Sequence, residues 1–356
     1  MKLLHTADLH LTETAAERWD ALGELVEIAR KHQVSALVIA GDLFDHNIEA
    51  EKLRARLRSE LGGADFMTII LPGNHDYRSY RSGLYFGENV TVITNWEEPV
   101  YIDDAAIWGL PYERLSGGRM VSRLRDMAGR MNPDQANFLL FHGELLDAFF
   151  SREDLGDEGD LRYMPVRLSY FEPLPLQYVL AGHFHSRYTS WQIPGGGLFI
   201  YSGSPVAVTR REAGRRAANL VAPGEDPVEI PLDTHYFEEL VISLDPFNLE
   251  DPLSLLDNKM QELHRNAKVI LTVRGLFNGS ALGMDENELA AGIMERAGSR
   301  FAEEPALEFY DVQHILEDDL FKQFNEKLEQ ADYPRDQKEA VKKMAIRAFR
   351  VVKACS

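Results

Sequence analysis

Five short clusters in the sequence combine carboxylates, imidazoles and one amide: Asp8-Leu9-His10, Gly41-Asp42, Gly73-Asn74-His75-Asp76, His142-Gly143 and Gly182-His183-Phe184-His185. Their donors are oxygen and imidazole nitrogen without sulfur, a set suited to manganese, iron or zinc rather than to a thiolate-seeking metal. Seven residues of these clusters, Asp8, His10, Asp42, Asn74, His142, His183 and His185, exceed what one ion needs. Two ions about 3.5 to 4 Å apart, sharing one carboxylate, would use them all. Such a pair clamps the attacking and leaving oxygens of an in-line phosphoryl displacement. The single cysteine, Cys355, excludes internal disulfides and thiolate-bound zinc.

Side chains as far apart in sequence as Asp8 and His185 can meet only where several elements end together. Each cluster follows an apolar run: Lys2 to Thr6, Ala36 to Ala40, Thr68 to Leu71, Asn137 to Phe141 and Tyr178 to Ala181. Short runs rich in branched and aromatic residues predict buried strands, and Ala105 to Leu110 and Leu198 to Tyr201 read the same way. Between the first two runs, Ala15, Trp19, Leu22, Val26 and Ala29 recur at helical spacing within Thr14 to His32, and Glu49 to Leu61 reads as a second helix. Strand, helix, strand, helix, strand is the rhythm of an α/β layer fold with parallel order. In such sheets the ligand crevice lies outside the carboxyl ends of the strands, where the clusters fall. Glycines beside four of the clusters fit a chain that turns sharply where a ligand approaches the backbone.

The chain has 356 residues, 45% hydrophobic and 27% charged, enough for a packed core and two to three domains. Its texture changes after Pro231. Glu238 to Leu244, Lys268 to Phe277 and Leu307 to Val312 predict strands, with helices over Pro252 to Asn266 and Asp285 to Gly298. From His314 the pattern is helical, broken at Pro334. The expected organisation is one domain over 1–232, an α+β unit over 233–312 and C-terminal helices over 313–356. The last helix sets Lys338, Lys342, Lys343, Arg347 and Arg350 around an apolar stripe through Val341, Ala345, Phe349 and Val352. No apolar run approaches the roughly 18 residues of a membrane span, and Lys2, His5, Asp8 and His10 break any signal-peptide core. A cytoplasmic protein is expected. The net charge of -19 has the wrong sign for holding nucleic acid by bulk electrostatics, so a phosphate partner must be met locally.

Read in order, the clusters give D-x-H, G-D-x-x-D over Gly41 to Asp45, G-N-H-D, H-G and G-H-x-H. This series resembles the calcineurin-like metallophosphoesterases. Within them, Leu4 to Leu11, Gly41-Asp42-Leu43-Phe44-Asp45 and Tyr201-Ser202-Gly203-Ser204-Pro205 look like the SbcD-type DNA repair nucleases. The resemblance implies a layered α/β sandwich of β-sheets flanked by helices, with a small α+β capping domain and C-terminal helices. It implies an exo- and endonuclease of double-strand break processing that forms a homodimer and works with an SbcC-type coiled-coil ATPase. It also implies two divalent ions, with Mn2+ as the working metal. Asp8, His10, Asp42 and His185 would hold one ion and Asp42, Asn74, His142 and His183 the other, with Asp42 bridging. His75 would stabilise developing charge or protonate the leaving oxygen. Asp76 would orient His75. Asp45, next to His46, stands where some relatives carry a catalytic histidine.

Arg78 and Arg81 after Asn74-His75, and Arg210 and Arg211, with Arg215 and Arg216, after the Ser-Gly-Ser-Pro turn, are the expected DNA contacts; a solvated face is the alternative. His5, inside the first strand run, reads as structural. Gly195 to Gly197 lacks the lysine and strand-to-helix context of a phosphate loop and reads as a turn. Two other functions stay open on the residues alone. Hydrolysis of small phosphoesters such as nucleotides is favoured by the acidic charge and disfavoured by the C-terminal attachments. A non-catalytic assembly protein that binds DNA ends is disfavoured by seven intact donors.

Overall fold

The apolar runs that precede the clusters are strands. In the computed structural model, which describes residues 1–46, 49–80, 84–115, 117–148, 163–186 and 188–354, they belong to the first of two units, Met1–Phe237 and Glu238–Ser356. Strands β1 (Leu3–Thr6), β2 (Ala36–Ala40), β3 (Met67–Leu71) and β4 (Val90–Val92) run parallel, with α1 (Ala16–Lys31) and α2 (Glu49–Leu61) between the first three. A second sheet holds β5 (Val100–Ile102), β6 (Ala105–Leu110), β7 (Ala136–His142), β8 (Tyr178–Gly182), β9 (Thr189–Gln192) and β10 (Leu198–Tyr201), in the order β5-β6-β7-β8-β10-β9. Its four central strands are parallel, its two edges antiparallel, and α3 (Gly117–Ala128) connects β6 to β7. The chain then returns to the first sheet, where β11 (Ala217–Val221) pairs antiparallel with β1 and β12 (Val228–Pro231) with β11.

Side-chain alternation makes this a four-layer sandwich. Along β2, Ala36 and Val38 turn to the layer between the sheets, and Leu37 and Ile39 turn to the α1 and α2 side. Along β7, Phe138 and Leu140 face the first sheet, while Leu139 and Phe141 join Met120, Leu124 and Met127 of α3. A strand buried on both faces has no polar alternation, so it appears in the sequence as an unbroken apolar run. The strands the sequence did not reveal, such as β4 and β12, are short and half-exposed and carry no such run.

The second unit contains a three-stranded sheet of β13 (Tyr236–Leu244), which begins at the end of the first unit, β14 (Ala267–Phe277) and β15 (Ala306–Asp311), the last two parallel. Around it lie α4 (Pro252–Glu262), α5 (Gly279–Leu282) and α6 (Glu286–Ala297), over a core that includes Leu256, Leu271, Val273, Leu289 and Ile293. The Asp251 side chain caps α4, and Asp285 with Glu288 forms a reciprocal capping box on α6. Then α7 (Gln313–Leu316), α8 (Asp319–Gln330) and α9 (Arg335–Ala354) close round Ile315, Phe321 and Ile346, with Pro334 at the break between α8 and α9. The inward stripe of α9 is not the expected one. Ala345, Ile346 and Phe349 turn inward, while Val341 and Val352 are exposed together with Met344 and Val351. Among the described residues no helix is long and apolar enough to cross a membrane.

Candidate metal centre

The two sheets present their carboxyl ends to one place. His142, the last residue of β7, donates its Nδ1–H to the Ala40 carbonyl at the end of β2, at 2.8 Å. The His183 amide, just past β8, donates to both oxygens of Asp8, just past β1, at 3.2 and 3.0 Å. The loops after β1 and β2 are joined by Asp8 N–H to Gly41 O and His10 N–H to Asp42 O, both 3.0 Å. This scaffolding carries strain: Asp8, His10, Asp42 and His183 have φ of 58°, 48°, 49° and 94°. Left-handed backbone at non-glycine residues costs on the order of 1–3 kcal/mol each and persists only where the surroundings enforce it.

The cluster glycines have a different reason from the one expected. Gly41 alone among them takes a positive φ, 103°. What Gly41, Gly73 and Gly182 share is room: a Cβ at Gly41 would fall inside the His142 imidazole, at Gly73 onto the Asp42 carboxylate, and at Gly182 onto the Ala40 carbonyl.

Donor atoms of Asp8, His10 and His185 lie within 4.8 Å of one another, as do those of Asp8, Asp42 and His142. Asn74 joins the second group through Oδ1, 2.9 Å from His142 Nε2, which also lies 3.0 Å from Asp42 Oδ2. The His183 ring stands 5.4 Å from that of His142. Asp8 has donor atoms in both groups, and Asp42, the bridge that the resemblance implies, stands in the second. Asp42 Oδ1 accepts the His75 N–H at 2.9 Å, while its buried Oδ2, 3.0 Å from His142 Nε2, has no hydrogen-bond donor.

The outer partners fix which ring nitrogen looks inward. Nδ1 of His142 is on a carbonyl and Nδ1 of His185 on Glu212 Oε1 at 3.2 Å, while Nδ1 of His10 lies 3.2 Å from Asp45 Oδ1 as an ion-pair contact without hydrogen-bond geometry. With these two Nδ1 protons so placed, the inward nitrogens of His142 and His185 carry lone pairs. His142 Nε2 then faces two acceptors, and His185 Nε2 faces His10 Nε2 at 3.3 Å and Asp8 Oδ1 at 3.6 Å. Acceptors crowded at such distances call for cations among them, and oxygen with imidazole donors in two adjoining groups fits a pair of divalent ions. Proton affinities reflect the same demand. Burial opposes charge on His142, yet the Asp42 carboxylate beside it raises its pKa to about 10. Burial likewise opposes charge on His185, and Asp8 and Glu212 raise it to about 9.

His75 is half-buried; its Nδ1 bonds the Asp45 carbonyl at 2.9 Å and its ring stands edge-on to His10 at 4.7 Å. Asp45 therefore grips two histidines, His10 with its carboxylate and His75 with its backbone. That carboxylate also meets Arg18 at 3.7 Å and the exposed His46 at 3.5 Å. Asp76, expected to orient His75, is engaged elsewhere. Its buried carboxylate accepts from Gly73 N–H at 2.8 Å, Phe44 N–H at 3.1 Å and Tyr80 OH at 2.8 Å, tying the loops after β2 and β3 together. Burial, with help from Asp42, pushes its pKa up to about 7.

Arg78 is exposed, 5.2 Å from the Tyr77 ring centre, and Arg210 and Arg211 are exposed; Arg81 lies outside the described residues. Arg216, grouped in the sequence with Arg210, Arg211 and Arg215 as an expected DNA contact, is not at the surface. It is buried and donates to Ser204 O at 2.9 Å and to the His185 carbonyl. Glu212 was missed. It is 1% exposed, its oxygens take up His185, Ser204 Oγ at 2.9 Å and the Val208 and Thr209 amides at 2.9 and 3.1 Å, and His185 holds its pKa down at about 2 against the pull of burial. The Ser-Gly-Ser-Pro segment, through Ser204, thus supports a metal-competent histidine. His5 is a neutral core residue, pushed down to about 3 by burial.

The profile of the calcineurin-like phosphoesterase family matches residues 1–187. The chain is 24% identical over 281 residues to the DNA double-strand break repair protein Mre11 of Sulfurisphaera tokodaii, covering 72% of this chain and 69% of that protein. It is 26% identical over 259 residues to an SbcCD nuclease subunit of Escherichia coli K12, covering 60% of this chain and 63% of that one. With the corresponding SbcCD nuclease subunit of Bacillus subtilis 168 it shares 28% over 268 residues, covering 64% and 68%. The family match takes in more than half of the chain and ends just past His185, the last of the donors the sheets assemble. The chain therefore belongs to the calcineurin-like phosphoesterases, enzymes that hydrolyse phosphoesters with divalent metal ions, two of which this centre fits.

Proposed function

We propose that this metal-dependent phosphodiester hydrolase cuts DNA, as an exo- and endonuclease of double-strand break processing. What carries the reading is the joint placement of seven metal-competent side chains and His75 at one edge, in a chain similar to three named repair proteins or nucleases. In this reading Asp8, His10, Asp42 and His185 hold one ion and Asp42, Asn74, His142 and His183 the other, with Mn2+ as the working metal. When bound, the ions supply positive charge to the phosphoryl oxygens and make water acidic enough to attack. His75, its Nδ1 proton fixed on the Asp45 carbonyl, delivers a proton from Nε2 to the leaving sugar oxygen as the P–O bond breaks. Asp45 positions both His10 and His75. Arg78, Arg81, Arg210 and Arg211 meet phosphates at the rim. Residues 233–312 form the capping domain and 313–356 the helices that dock an SbcC-type coiled-coil ATPase, the whole acting as a homodimer in the cytoplasm.

The test is Mn2+-dependent release of nucleotides from end-labelled linear duplex DNA, run beside a His75→Ala protein and a chelator control. Release that disappears in both controls supports the reading. Full activity of His75→Ala removes its role in leaving-group protonation. Hydrolysis of nucleotides or other small phosphoesters without any DNA cleavage transfers the enzyme to that substrate class.

A further inference from the structure

The charge of -19 is unevenly spread. From Glu113 to Arg130 five arginines stand against two acids, Glu113 and Asp126. This stretch is the loop after β6 together with α3 and its end. The helix buries Met120, Leu124 and Met127 and leaves its arginines outside that face. Arg119, Arg123 and Arg130, four and seven residues apart, share one flank. Arg123 and Arg130 lie 5.2 and 5.6 Å from the Trp96 ring centre. Arg114, Arg119 and Arg130 are exposed, and among the described residues none of them has a carboxylate partner.

Helix α9 shows what a cation-rich helix looks like when the fold itself satisfies it. There Lys342 pairs with Glu329, Lys343 with Asp245 at 2.5 Å and Arg335 with Glu339 at 3.2 Å, while Arg350 lies 3.2 Å from the Tyr310 ring centre. On α3 only Arg123 is so matched, to Glu113 at 2.6 Å. Arg114, Arg119 and Arg130 are thus left to an anion from outside the fold.

Its position indicates which anion. Strand β6 ends at the carboxyl edge it shares with β7 and β8, so the chain leaves it at the metal edge and α3 runs away from there. Tyr112, beside Glu113, stands 5.2 Å from the Tyr77 ring and 6.1 Å from that of Tyr163, which is 5.1 Å from His183. A line of rings therefore runs from the centre to Tyr112, one residue before the Glu113 that pairs with Arg123. From Arg119 to the end of α3 at Ala128 the flank spans about 14 Å at roughly 1.5 Å per residue, or about four nucleotides of one strand at about 3.4 Å each, with Arg130 just beyond.

We propose that α3 is the track along which a DNA strand runs to the metal centre, with Arg114, Arg119 and Arg130 on its phosphates. The proposal rests on the DNA reading above and locates its substrate surface. It is tested by equilibrium binding of a short linear duplex at several salt concentrations, in chelator, by fluorescence anisotropy. The triple variant Arg114→Ala, Arg119→Ala, Arg130→Ala should lower the salt slope of binding by about 3, and Arg119→Ala alone by about 1. A variant with the same change of charge at the amino ends of the strands, Lys2→Ala, Arg30→Ala, Lys31→Ala, should keep the wild-type slope. Melting curves check that each protein is folded, and the single variant keeps the test open should the triple one fail. If the arginine variants and the control variant give equal slopes, α3 is not the track although DNA remains the substrate. If the wild type neither binds nor cuts DNA while hydrolysing bis(p-nitrophenyl) phosphate in Mn2+, the DNA reading itself falls and the track with it.

Discussion

The histidines brought to the centre are held in two ways. His185 bonds its outer nitrogen to the Glu212 carboxylate and His10 has its own in ion-pair contact with that of Asp45, whereas His142 rests its own on the neutral carbonyl of Ala40. Both partners orient the ring, but a charged carboxylate makes the imidazole a more basic donor than a neutral carbonyl does. The His10 and His185 side should therefore bind its ion more tightly. The His142 side depends on position, since its anchor is a bond from the second sheet to the main chain of the first.

The contrast is open to attack at both ends, and most severely at Gly41. Gly41→Ala puts a methyl group where the His142 ring lies. Since misplacing a catalytic group by about 1 Å can cost roughly 100-fold, Mn2+-dependent hydrolysis of bis(p-nitrophenyl) phosphate should fall at least that far. Metal analysis should show fewer ions per chain; full occupancy with wild-type turnover would mean that the carbonyl anchor does not matter. Glu212→Gln should weaken one ion by about 10- to 100-fold and spare the other. A two-site calorimetric titration reads this, and equal weakening of both ions would abolish the distinction between the sides. Asp45→Asn should act in the same direction but nearer tenfold, because its side chain is 25% exposed and solvent screens it.

The smallest effect is in acid. Glu212 has its pKa depressed to about 2 from an ordinary 4.5, so its contribution to stability is complete above the ordinary value and is lost as pH falls through the depressed one. In the metal-free protein, the stability gap between wild type and Glu212→Gln, measured by urea unfolding, should close across that window. A gap that stays constant there would show that Glu212 acts through shape rather than charge.

Most of this centre was legible because Asp8, His10, Asp42, His142 and His183 stand where long apolar runs stop, and nothing but a site places such residues there repeatedly. Glu212 was not legible. It sits in Thr209-Arg210-Arg211-Glu212-Ala213-Gly214-Arg215-Arg216, which has the composition of a solvated loop, and only the fold shows that Glu212 and Arg216 point inward while their neighbours do not. Asp76 illustrates the converse error: adjacency to His75 says nothing about which donors its carboxylate meets, and three others occupy it. Helix α3 escaped notice because its apolar face is three methionine and leucine side chains among arginines. The α9 stripe was misplaced by one helical edge, since Ile346 rather than Val341 is buried.

The left-handed backbone at Asp8, His10, Asp42 and His183 has a consequence for how such a protein can be improved. Glycine would adopt those angles without strain, so stability and turnover make opposite demands on the same four codons. A library selected for heat resistance alone should drift toward glycine there and yield robust, inert proteins. Only a selection that scores hydrolysis would keep the four side chains in place.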